Sequence, residues 1–175
     1  IGVIMFLYWG VLIWVMRRFP DEMQTIGLPG ARWAAWAAIG LIAGLMLGGH
    51  LLFTAATAAG FTLALKPWPY TLWSLCYEAG IQSISEELFF RGVAFDYLHR
   101  IAGRDFWLSA IVTSLLNVMV ILVKSGWRAN VLLSMGTLFY AFAMGMISAA
   151  LFNRSRSIVP GFANNVAFSM VTILL

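Results

Sequence analysis

The chain has 175 residues, 62% of them hydrophobic and 10% charged, with a mean hydropathy of +0.88 and a formal net charge of +4. Water-soluble domains of this size do not have such a composition, which points to an all-α polytopic membrane protein. The basic excess does not indicate nucleic acid, because its Lys and Arg are scattered over short connections and form no basic helix or stripe.

Ile1 to Met16 is an uncharged apolar run that closes on Arg17-Arg18. It has the apolar core of a signal peptide, but no basic segment precedes it and no small-residue cleavage site follows. The expectation is a transmembrane helix whose start lies upstream of Ile1. Residues 17–32, with Pro20, Gly27, Pro29 and Gly30, read as a surface connection. Trp33 to Leu65 exceeds the roughly 20 residues that cross a bilayer, so this second span is expected to tilt, kink or run partly along the interface. Gly40, Gly44, Gly48 and Gly49 in it form a small-residue face for close helix packing. His50 follows, with three readings: an axial ligand for haem or a pigment, a polar partner for the acidic stripe described below, or a structural hydrogen bond.

Lys66 to Tyr70 is a proline-punctuated turn with Trp68 and Tyr70 placed as interface anchors. A third helix is predicted over about Thr71 to Tyr97, leaving the membrane at Asp96–Arg100, where His99 reads as a solvated interfacial side chain. Cys76, the single cysteine, excludes an internal disulfide and reads as a small core residue. Phe106–Val123, Val131–Phe152 and Ile158–Leu175 complete the set, giving about six transmembrane helices in one bundle and one domain, residues 1–175. Seven Lys or Arg fall in loops 17–32, 97–105 and 153–157 and three in loops 60–70 and 124–130. The positive-inside bias makes the first three loops cytoplasmic in a multi-pass protein, with a bacterial inner membrane expected.

Residues 85–92, Ser-Glu-Glu-Leu-Phe-Phe-Arg-Gly, hold three ionisable groups in the middle of the third span, where charge is costly and therefore usually functional. On a helix Glu87 and Arg91 share a face and can pair at i,i+4. Glu86 is rotated about 100° away, toward Gln82 and Glu78 one and two turns earlier. Two readings of the cluster stand side by side. It is a buried ion pair that fixes helix packing, or a general base whose carboxylate takes a proton from water.

Glu86, Glu87, Phe90, Arg91 and Gly92, within a hydrophobic helix, resemble the first motif of the CAAX protease and bacteriocin-processing family (CPBP, or Abi), intramembrane endopeptidases related to the Ras-converting enzyme. Thr25 to Gly30 and Ser157 to Pro160 are similar to segments that precede the family's glycine-rich helix and its third motif. The resemblance implies the family's membrane fold, a first glutamate (Glu86) that activates water, and two histidines that bind a metal or stabilise the oxyanion. This chain departs at both histidines. The second motif, Phe-x-x-x-His, falls on Asn117 and Ile121. The third falls on Asn165 and Ser169, or on Asn164 and Phe168 with the register shifted by one. Asn117 and Asn165 can donate hydrogen bonds to an oxyanion, but an amide is neither a base nor a good zinc ligand.

The site expected from the sequence is therefore Glu86, Glu87, Arg91, Asn117 and Asn165, with His50 as the cofactor candidate. No metal or cofactor is expected, with zinc the exception if the family chemistry survives. The leading reading is a non-catalytic pseudoprotease that binds a lipid or isoprenoid group or partner membrane subunits. The alternatives are an active endopeptidase with Glu86 as general base, acting on a prenylated or hydrophobic peptide, and an accessory subunit of an energy-transducing complex.

Overall fold

The computed structural model describes residues 2–18, 32–58, 60, 62, 64, 67–103, 105–125 and 131–173. Among them the chain forms six helices and no strand: α1 (Gly2–Arg18), α2 (Trp33–Ala58), α3 (residues 68–101), α4 (Phe106–Ser125), α5 (Val131–Ser155) and α6 (Val159–Thr172). The all-α membrane architecture stands, but the number of spans is corrected. Three helices of the described residues, rather than six, are long and apolar enough to cross a bilayer: α2, Phe106–Val123 of α4 and Ser134–Ser155 of α5. The described part of α1 has 17 residues and α6 has 14, short of the roughly 20 required. In α3 the acidic residues and Arg91 break the apolar run.

α2 presents most of its surface outward. Only 17% of its span is buried, and Met46 and Phe53 stand 72% and 67% exposed. Apolar surface on that scale belongs against lipid, so the chain is an integral membrane protein.

The buried face of α2 is the glycine stripe, and it packs on α6. A Cβ at Gly40 would run into the Pro160 carbonyl oxygen, and one at Gly44 into the Asn164 carbonyl oxygen. At Gly48 it would come 2.8 Å from the Val171 Cβ. Gly49 has nothing within 4 Å, so the stripe consists of three glycines at four-residue spacing rather than four. The backbones touch because side chains are missing where they cross.

α3 is not uniformly α-helical. Ser74–Gln82 and Leu88–Phe95 are wound as π-helix, and between them Ser83–Glu87 makes one α-helical turn. The Ser83 N–H reaches the Glu78 carbonyl five residues back, and the Ser83 hydroxyl donates to the same oxygen at 2.9 Å. π-winding is rare and recurs at functional sites.

Phe95 anchors the far end of α3, fully buried against Ala110, Ala149 and Phe152, with the Phe152 ring edge-on at 5.8 Å. His99 is corrected here. It is buried, not solvated, with its ring stacked on Phe95 at 5.4 Å. Cys76 is likewise exposed rather than in the core. Asp105 starts α4 by accepting the Leu108 N–H at 3.0 Å, a side-chain cap. Between α5 and α6 the chain turns through Arg156 in the left-handed region, φ 53°, and the Ser157 hydroxyl then accepts the Val159 N–H at 3.2 Å.

Candidate functional site

Glu86 and Glu87 lie on the α-helical turn between the two π stretches, and successive residues there diverge. Glu87 points into the bundle and is 0% exposed. Asn165 of α6 donates its Nδ2–H to Glu87 Oε1 at 2.6 Å, and Arg91 Nε stands 3.6 Å from Oε2. The Ser148 hydroxyl of α5 is within hydrogen-bonding reach of the same carboxylate. Gly161 backs it: a Cβ at that position would collide with Oε2.

Arg91, 2% exposed, donates from Nη2 to the Gly145 carbonyl of α5 at 3.1 Å, and its guanidinium carbon lies 5.8 Å from the centre of the Phe90 ring. Gly145 is held close for its own reason, since a Cβ there would come 2.7 Å from the Ser114 hydroxyl of α4. Three helices, α3, α5 and α6, thus meet on one buried ion pair. Such a pair is tolerable only where further hydrogen bonds satisfy its remaining lone pairs and protons. Asn165, Ser148 and the Gly145 carbonyl supply part of them, while Glu87 Oε2 and Arg91 Nε face each other across 3.6 Å with no hydrogen bond of their own.

Glu86 faces another way, as the 100° step predicts. It is nearly buried, and its Oε1 accepts Gln82 Nε2–H at 3.0 Å. Glu78, two turns earlier, is exposed. Tyr8 of α1 lies close enough to feel the charges of both Glu86 and Arg91, and its ring meets Phe89 and Phe90 at 4.8 and 5.8 Å. A cavity of about 400 Å³ opens beside these rings, lined by Leu7, Val11 and Met119 among other apolar side chains.

The expected site residues therefore fall into three groups. Glu87, Arg91 and Asn165 come together directly, and Glu86 borders them on the next face of α3. Asn117 is buried on α4, its Oδ1 without a hydrogen-bond partner, and it stands outside the Glu87–Asn165 bond. Asn164, the other register of the third motif, is fully buried and donates to Ser148 Oγ at 3.2 Å. His50 belongs to a different place, between α2 and α5, where its Nδ1 lies 2.5 Å from the Tyr140 hydroxyl. Ser148, Gly161 and Tyr8 escape the sequence reading. The signal for Gly161 was the small residue just after Pro160 at the start of an apolar helix, and nothing in the sequence distinguished Ser148 from the other serines of α5.

A zinc ion, which the family chemistry would imply, needs three or four ligands. Among the described residues no three His, Cys, Asp or Glu side chains converge. Both histidines make their contacts elsewhere, with Tyr140 and with Phe95. The donors around Glu86 and Glu87 do not fit a zinc ion.

No curated protein and no solved structure matches the chain. Residues 66–171 match the family model described as type II CAAX prenyl endopeptidase Rce1-like. That stretch runs from the turn before α3 through nearly all of α6 and carries every residue of the buried cluster. With well over half its length in the match, the chain belongs to the Rce1-like family.

Proposed function

We propose that this membrane protein works by binding a lipid, an isoprenoid group or a prenylated peptide, and does not cleave one. The observation that carries the reading is the state of Glu87 and Asn165. The carboxylate is fully buried, paired with Arg91 and capped by the amide that occupies a histidine position of the third motif. One N–H of that amide is held by the carboxylate. The 400 Å³ apolar cavity beside Tyr8 and Phe90 supports a hydrophobic ligand, being within the range of small-molecule sites. On this reading the site needs no metal.

One observation favours a second reading, cleavage with Glu86 as general base. Arg91 pairs with Glu87, and the hydrogen bond to Glu86 Oε1 comes from the neutral Gln82 amide. The purified chain incubated with a farnesylated CAAX peptide separates the two. Binding without a cleaved product, equal in wild type and Glu86→Gln, is expected. Cleavage abolished by Glu86→Gln would replace the binding reading with the enzymatic one.

A further inference from the structure

A second cavity, of about 380 Å³, lies between the C-terminal half of α2 and the N-terminal half of α5. Its wall is apolar, with Leu51, Ala55, Met135 and Phe139, except along one edge where His50, Thr54 and Tyr140 meet. None of these three touches the Glu87 cluster in any contact described above, and nothing in the proposed function uses them.

One assignment of donors satisfies all three contacts at this edge. The Thr54 hydroxyl donates its single proton to the His50 carbonyl at 2.8 Å. Its contact with the Tyr140 hydroxyl at 3.3 Å is then a hydrogen bond only if Tyr140 donates. With the Tyr140 proton so used, the 2.5 Å contact with His50 requires Nδ1–H to donate to the Tyr140 oxygen. Each polar atom thus has one consistent role. In this assignment Nε2 is the acceptor, on a ring that lines the cavity and is itself exposed.

We infer that this cavity is a binding site for an amphipathic alcohol, a molecule with an apolar body and one hydroxyl that donates to His50 Nε2. The volume falls within the range of small-ligand sites, and such sites combine apolar walls with a few convergent polar groups. An acceptor in an apolar wall selects for an O–H donor and against the same molecule without one, because the unmatched polar group is left unpaired.

The test uses the whole chain purified in detergent and two photoreactive probes that differ only at the head, a diazirine-bearing dodecanol and its methyl ether. Crosslinks located by peptide mass spectrometry are expected on Met135 or Phe139. The alcohol should bind about tenfold more tightly than the ether, the weight of one hydrogen bond. His50→Leu should bring the two probes to equal affinity. Tyr140→Phe, which keeps the ring and frees Nδ1–H to change tautomer, should narrow the difference and serves if His50→Leu does not fold. Equal affinity of alcohol and ether in the wild type overturns the inference. So does a preference that survives in His50→Leu, a failure of both probes to bind, or labelling confined to Leu7 and Met119 of the other cavity.

Discussion

Replacing Gly161 with alanine adds one methyl group, and the structure states what it meets. The new Cβ would overlap Glu87 Oε2 and lie 2.7 Å from the Glu87 carboxyl carbon. A flexible surface carboxylate would swing away, but Glu87 is 0% exposed and is held by Asn165 at 2.6 Å and Arg91 at 3.6 Å. Either α6 moves off α3 or the carboxylate abandons Asn165. Overpacking of this kind costs about 1–3 kcal/mol, and losing a hydrogen bond to a charged group about 1.5–3 kcal/mol. Either route therefore costs about 1–3 kcal/mol. For a chain of this length that is a fall in Tm of roughly 6 °C. Thermal unfolding in detergent, followed by intrinsic tryptophan fluorescence, measures it. The control is Gly49→Ala, where nothing lies within 4 Å and the same change favours the helix by about 0.5–1 kcal/mol. If Gly161→Ala melts within about 2 °C of Gly49→Ala, the carboxylate is not clamped and the packing account of the site is wrong.

Arg91→Ala leaves Glu87 buried without its cation and should cost about 3–5 kcal/mol, so that in the same melting assay Arg91→Ala together with Glu87→Leu is more stable than Arg91→Ala alone. Gly44→Leu forces α2 from the Asn164 carbonyl and the Ala167 side chain and should abolish a folded, monodisperse peak in size-exclusion chromatography, while Gly49→Leu keeps it. Because no three ligating side chains converge among the described residues, dialysis against a strong chelator should leave both Tm and peptide binding unchanged; a drop restored by zinc would show a metal site.

What could be read from the sequence was what depends on a single helix. Four residues between Glu87 and Arg91 put them together, and the 100° step sent Glu86 toward Gln82; both contacts are present at 3.6 and 3.0 Å. The four-residue glycine spacing in α2 announced a close helix neighbour, but not that the neighbour was α6 or that Gly49 would stand outside the contact. Hydropathy overcounted the spans because it marks apolar runs and not the length of regular helix they form. The π-winding of α3 left no mark, since no residue type demands it. Asn165, Ser148 and Gly161 reach Glu87 across sequence separations of about 60 to 80 residues, and side-chain periodicity carries no information over such distances. His99 was misjudged because a ring beside charged neighbours reads as wet, whereas Phe95 one turn earlier supplies a flat partner that buries it.

The glycines of α2 also act on α6 as a detent. Each notch between Gly40, Gly44 and Gly48 receives one feature of α6, successively Pro160, Asn164 and Val171. The notches are four residues apart, or about 6 Å along a helix, and intermediate positions would press side chains against backbone. A jump of about 6 Å would carry Asn165 out of reach of Glu87 altogether. The buried cluster therefore depends on how α6 is seated on α2, although none of the bonds described to Glu87 and Arg91 comes from α2 itself.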